Sequence, residues 1–115
     1  MQIEKDNLIV RLTFQLSRDI IAFTEKLEKD RKYNLANQLF RSGTSIGANV
    51  REGQGSESKA DFIRKMKLAY KEAEETTYWL ELCSQSASYP GPAKLLDDIT
   101  SILKILGKII HSSKT

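Results

Sequence analysis

Residues 42–55 read SGTSIGANVREGQG and place Gly43 and Gly47 between two segments of helical periodicity. Loops that cradle phosphates share this glycine content, but no GxxxxGK[ST] motif, preceding strand or suitably placed lysine accompanies it here. We therefore predict that residues 42–52 lie inside a helix. Because each interior glycine costs a helix roughly 1 kcal/mol, the pair predicts a groove in which another helix approaches closely.

Apolar residues recur at steps of three and four on both sides of this stretch, which is the period of a helix. The runs EKDRKY, GQGSESKAD and SYPGPAK interrupt the pattern, and Ser56 or Ser58 would cap the helix after the second interruption. No segment alternates with period two. The sequence predicts an all-α, antiparallel up-down-up-down four-helix bundle. We expect one domain, residues 1–115, with helices at about 7–28, 33–53, 58–87 and 93–111.

Small residues predict where two of these helices cross. Ala69 and Ala73 lie four apart on the core face of the third helix, and we expect Gly43 and Gly47 to pack against them. A polar stripe lies beside the apolar face of the second helix. Its members either bond to one another and to nearby backbone, fixing register, or form a binding surface. The stripe and the glycines make up the motif of this helix: Gln38, Gly43, Ser45, Gly47, Asn49, Glu52 and Gly53.

Composition predicts a cytoplasmic protein of one domain. The chain has 115 residues, and 18 Lys and Arg against 15 Asp and Glu give a net charge of +3, which is mildly basic. A single cysteine forms no internal disulfide, which suits a reducing compartment. The N-terminus is too charged for a signal peptide, and no apolar run reaches the ~18 residues of a membrane span. We therefore expect no membrane association.

Catalytic and metal-binding patterns are scarce. Zinc needs more ligands than Cys83 and His111, and Lys108 stands where a Glu-x-x-His di-iron pair has its glutamate. A nucleophilic Cys83–His111 pair has no supporting motif, and we interpret Cys83 as a small buried apolar residue. We expect no enzymatic activity, metal, cofactor or small-molecule substrate.

Basic residues offer candidates for phosphate contacts on the turn after the first helix, on the second helix and on the outer face of the third. The nucleic-acid-binding candidates are Arg31, Lys32, Arg41, Arg51, Arg64, Lys67 and Lys71. Glu57, Glu74 and Glu75 are interleaved with those of the third helix. An ordinary solvated face, in which Lys71 pairs with Glu74 and Glu75, is therefore the alternative.

Apolar residues exceed the single stripe per helix that a monomeric bundle needs. Val10, Phe14 and Ile21 lie to one side of the core face of the first helix, and Trp79 lies roughly 100° from that of the third. These four residues are candidates for an interface with a protein partner or a second copy. Alternatively, the first helix has a broad buried face, and its three residues belong to the core.

Three segments carry a resemblance to a known family: NLIV at 7–10, YNLANQLFRSGTSIGANVREGQG at 33–55 and SKADFIRKMKLAYKEAEETTYWLELC at 58–83. They resemble the bacterial four-helix-bundle family named for proteins encoded in intervening sequences of 23S rRNA genes. The family pattern is approximately Leu-x-x-Gln-x-x-Arg-(small)2-x-Ser-Ile-(Pro/Gly)-Ala-Asn-x-x-Glu-Gly. The matching residues are Leu35, Gln38, Arg41, Ser45, Ile46, Gly47, Ala48, Asn49, Glu52 and Gly53, followed by Ser58, Lys59, Asp61 and Phe62. Many members carry an aromatic residue where this chain has Arg11.

The resemblance implies an antiparallel four-helix bundle and a relationship to accessory proteins of diversity-generating retroelements. Those proteins are pentamers with a positive surface that bind a reverse transcriptase and nucleic acid. By this analogy we expect a homo-oligomer, a pentamer, that binds RNA, DNA or a reverse-transcriptase-like protein. The alternative is a protein-interaction or scaffold module with no affinity for nucleic acid.

Overall fold

Residues 7–113 are described by a computed structural model of the chain. Four α-helices make up most of this range, and no strand occurs within it. The helices are α1 (Leu8–Lys29), α2 (Tyr33–Gln54), α3 (Lys59–Ser84) and α4 (Ala93–Ser113). The all-α prediction is confirmed.

Each helix packs against two neighbours in the order α1, α2, α3, α4, and α4 closes the bundle against α1. Consecutive helices run antiparallel: Gly43 and Gly47 of α2 face Ile20 and Thr13 of α1, so residue numbers rise on one helix as they fall on the other. The bundle measures 46 × 22 × 21 Å. The structure thus has the predicted up-down-up-down arrangement, and α1 and α4 share the least extensive contact.

Side-chain caps account for two of the helix starts. The Asn7 side chain accepts a hydrogen bond from the Val10 amide at 3.4 Å. Ser58 Oγ accepts from the Asp61 amide at 3.1 Å, so Ser58 is the cap of α3. Such caps satisfy backbone amides that have no partner inside a helix.

The third helix ends at Ser84, three residues before the predicted end at 87. The hydroxyls of Ser84 and Ser86 donate to the carbonyl oxygens of Glu81 and Leu82, each at 2.8 Å. Serine hydroxyls compete in this way with the backbone amides that would continue a helix. The apolar pattern of the sequence does not reveal this competition, so the predicted end of the helix lay three residues too late.

The core lies along the bundle axis and is closed by residues of all four helices. Its largest fully buried side chains are Leu16, Ile20, Leu27, Leu39, Ile46, Met66, Leu80, Ile99, Ile102 and Leu106. One polar contact crosses this interior, between the hydroxyls of Ser42 and Thr76, whose oxygens lie 2.8 Å apart. Because this contact links α2 to α3, it satisfies both buried hydroxyls and helps to set the register of the two helices.

The close approach at Gly43 and Gly47 is real, but the predicted partner was wrong. A methyl group placed on Gly43 would lie 2.9 Å from side-chain carbons of Ile20, and one on Gly47 would lie 3.1 Å from the Thr13 carbonyl oxygen. Both contacts are with α1, not with Ala69 and Ala73 of α3. The two glycines lie on the α1 side of the apolar stripe of α2. The stripe of a single helix does not show which neighbouring helix packs against each of its sides.

Candidate nucleic-acid interface

Ser45, Asn49 and Glu52 of the polar stripe of α2 form hydrogen bonds or ion pairs within the protein. Ser45 Oγ donates to the Arg41 carbonyl oxygen at 2.6 Å, and Asn49 Nδ2 donates to the Ser45 carbonyl oxygen at 2.9 Å. Glu52 pairs across to α3, with 2.7 Å between its carboxylate and Lys65 Nζ. These contacts agree with backbone satisfaction and register, the first of the two roles considered for the stripe.

Arg41 is already neutralised, which argues against its predicted role as a phosphate ligand. Its guanidinium pairs with Glu72 at 3.4 Å and also with Glu75. Trp79 Nε1 donates to the same Glu75 carboxylate at 3.0 Å. The two glutamates therefore offset the charge of Arg41 and join α2 to α3. They also replace the pairing of Glu75 with Lys71 that the sequence alternative assumed.

The other predicted basic residues lie on three separate parts of the bundle. Arg31 and Lys32 form the turn between α1 and α2, where Arg31 has a φ of 63° and the Lys32 ammonium lies 4.8 Å from the centre of the Tyr89 ring. The Arg51 guanidinium lies 5.3 Å from the centre of the Phe14 ring, between α1 and α2. The seven candidates therefore do not form one surface.

Four exposed lysines lie on α3 and α4 near the level at which Tyr70 and Gly107 meet. Tyr70 of α3 lies against Gly107 of α4, with 3.8 Å between a ring carbon and the position of a Cβ on that glycine. Lys67 and Lys71 flank Tyr70 on α3, and Lys104 and Lys108 flank Gly107 on α4; all four are exposed. We call these residues the lysine surface: Lys67, Lys71, Lys104 and Lys108.

None of these four lysines makes an ion pair with any residue between 7 and 113. Arg64 extends the surface by one turn along α3 and is paired with Asp61 at 2.9 Å. The exposed Glu74 lies one turn beyond Lys71 and forms no ion pair with the described residues. The surface therefore keeps an excess of unpaired ammonium groups, the arrangement that polyanions require.

Sequence reasoning identified Lys67 and Lys71 but missed Lys104 and Lys108. The two on α4 are four residues apart, so they share a face of any helix formed there. That spacing was the available signal. The spacing did not show which helix lies beside α4, because only the packing of Tyr70 against Gly107 places the two lysine pairs on neighbouring helices at one level of the bundle.

The four predicted interface residues lie in two different grooves. Val10 is only 8% exposed and belongs to the core, but it also forms part of the wall of a groove between α1 and α2. Phe14 and Ile21 are 52% and 40% exposed, and they line a groove between α1 and α2 together with Phe40, which is 49% exposed and which the sequence analysis missed. Trp79 lies in a different groove, between α2 and α3.

The structure rules out a Cys83–His111 pair. Cys83 lies at the end of α3, beside the start of α4, whereas His111 lies 18 residues into the antiparallel α4 from Ala93, roughly 27 Å along its axis. Cys83 is buried, and desolvation raises the pKa of its thiol to about 11. The thiolate that nucleophilic chemistry needs is therefore disfavoured at neutral pH.

The described part of the chain offers no constellation for metal chemistry. Between residues 7 and 113 no three His, Cys, Asp or Glu side chains converge as metal ligands. The same range contains no helix with the length and apolar character needed to cross a membrane.

Comparison with known proteins identifies the family. The model of the 23S rRNA-intervening sequence protein family matches residues 5–111. A crystal structure from Bacteroides thetaiotaomicron VPI-5482, of a protein with unknown function from the S23 ribosomal protein family, is 37% identical in sequence. It superposes with a TM-score of 0.85 over 90% of this chain and 98% of its own. No curated protein matches. The chain belongs to the family of 23S rRNA-intervening sequence proteins.

Proposed function

We propose that this protein is a non-enzymatic, cytoplasmic binding protein that holds RNA or DNA by its phosphate backbone. The observation that carries the proposal is the lysine surface: four exposed ammonium groups bracket one helix crossing and have no carboxylate partner in the described chain. Lysines on two packed helices have backbone positions at a fixed spacing. When they neutralise the phosphates of a polyanion, counterions are released, and this release favours association at low salt.

A salt titration of the purified protein with a structured RNA and with a DNA duplex tests this function. Each phosphate neutralised contributes about −0.9 to the slope of log affinity against log salt on duplex DNA. Four lysine contacts therefore predict a slope near −4, and Arg64 would steepen it further. Absence of binding to both probes at low salt would refute the proposal.

A second candidate function is protein interaction, and one observation favours it. Phe14, Ile21 and Phe40 expose large apolar side chains along a single groove of about 370 Å³ between α1 and α2. Contiguous apolar surface of this kind is typical of interfaces. We propose a second copy of the chain as the occupant, and the family analogy makes the assembly a pentamer.

Sedimentation velocity tests this self-association. We expect the wild-type protein to sediment as a species several times heavier than the 13.1 kDa chain, and the double variant Phe14→Gln, Phe40→Gln to sediment as the monomer. Leu8→Gln is the matched control, because Leu8 is 47% exposed but does not line this groove. A wild-type protein that is monomeric at high concentration would exclude the second copy.

A further inference from the structure

A second cavity lies outside the lysine surface, between the first turns of α2 and the last turns of α3. It is an open groove with a volume of about 540 Å³, within the range of small-molecule pockets. Three amide side chains, Asn34, Asn37 and Gln38, line one side, and two aromatic side chains, Trp79 and Tyr89, line the other. Among residues 7–113, no carboxylate lines it. We call this cavity the amide–aromatic pocket.

The indole of Trp79 is held in place before any ligand arrives. Its Nε1 donates to Glu75 at 3.0 Å, and Arg41 binds the same carboxylate from α2. The ring of Tyr78 meets the indole edge-on, with 5.1 Å between centroids and 64° between planes. A partly exposed ring with a fixed orientation is a preformed surface on which a flat aromatic ligand can stack.

The amides supply the complementary hydrogen bonds. Asn34 and Asn37 are exposed, and their side chains form no hydrogen bond with another described residue. Gln38 accepts from Arg41 at 3.4 Å, which leaves its own N–H groups free to donate. An amide presents a donor beside an acceptor, and nucleobase edges present the same pairing in reverse.

Positive charge lies at the mouth of the pocket. Lys32 Nζ rests 4.8 Å from the centre of the Tyr89 ring, and Arg31 precedes it in the turn. Along α3, Lys71 of the lysine surface lies eight residues from Trp79, roughly 12 Å by the rise of a helix. Lys71 is also turned about 80° from Trp79 around α3. A strand of several nucleotides that follows the surface of α3 would reach both places, within the ~4–16 nucleotides that single-strand grooves accommodate.

We propose that the amide–aromatic pocket binds an unpaired nucleobase of a single-stranded nucleic acid. The base stacks on Trp79 and bonds to Asn34 and Asn37, while Lys32 contacts an adjacent phosphate. This inference rests on the proposed nucleic-acid function and adds to it, because phosphate contacts alone do not distinguish single strands from duplexes.

Trp79 is the sole tryptophan of the chain, so its fluorescence reports on the pocket without any mutation. We expect a 12-nucleotide single-stranded RNA to quench it, whereas an abasic strand with the same phosphates binds about tenfold more weakly and does not quench. The double variant Asn34→Ala, Asn37→Ala should lower the affinity for the RNA by about tenfold and leave the affinity for the abasic strand unchanged. Gln15→Ala, which removes an exposed amide on α1, should alter neither titration.

Four outcomes would overturn the inference. Equal binding of the RNA and the abasic strand without quenching would exclude the pocket while the proposed function stood. Binding of neither strand at low salt would remove the proposed function and this inference with it. Free adenosine that binds as tightly as the RNA would assign the pocket to a small molecule. Fluorescence that changes when the protein alone is diluted would assign it to a second copy.

Discussion

Reversing either lysine pair at the α3–α4 crossing is expected to weaken RNA binding about 100-fold at 0.1 M salt. Each lost phosphate contact lowers the magnitude of the salt slope by about one, which at 0.1 M corresponds to roughly tenfold in affinity. The variants are Lys67→Glu with Lys71→Glu on α3, and Lys104→Glu with Lys108→Glu on α4. All four side chains are exposed, so the fold should tolerate the changes.

The matched control is Arg11→Glu with Arg18→Glu on α1. Both arginines are exposed and form no ion pair with the described residues, and the control lowers the net charge of +3 by the same four units. If RNA binding falls equally in the control, the effect comes from overall charge and the lysine surface is not the site. If RNA affinity falls only in the α3 variant, Lys104 and Lys108 of α4 do not contribute to the binding site.

Gly43→Leu is expected to destabilise the protein by roughly 3 kcal/mol or more, the upper range for overpacking a core. A Cβ at this position would lie 2.9 Å from two carbons of the buried Ile20, and a leucine adds three further carbons. The gain in helix propensity, about 1 kcal/mol, offsets only part of this cost. Thermal unfolding followed by circular dichroism should show a Tm lower by roughly 10 °C.

A compensating variant identifies the helix responsible. Ile20→Ala removes the side chain that the leucine would meet, so the double variant should be more stable than the sum of the two single effects predicts. The pair Gly43→Leu with Ala69→Gly tests the α3 partner expected from sequence and should show no such coupling. Ala22→Leu, at an exposed position of α1, controls for the added volume. An unchanged Tm for Gly43→Leu would contradict the close packing.

Local signals in the sequence determined the elements of this fold. The steps of three and four between apolar residues, the prolines of SYPGPAK and the cap at Ser58 are properties of single segments. They therefore predicted four helices and a bundle without knowledge of neighbours. The shared face of Lys67 and Lys71 was also predictable, because i and i+4 positions lie on one face of any helix.

Tertiary structure decided which surfaces those helices share. Gly43 packs against α1, Val10 enters the core, and Arg41 is neutralised by two glutamates of α3. Lys104 and Lys108 lie at the same level of the bundle as Lys67 and Lys71. Each of these facts depends on the rotation of one helix about its axis relative to another. A helical repeat specifies which residues share a face, but the packing of side chains between helices determines what that face meets.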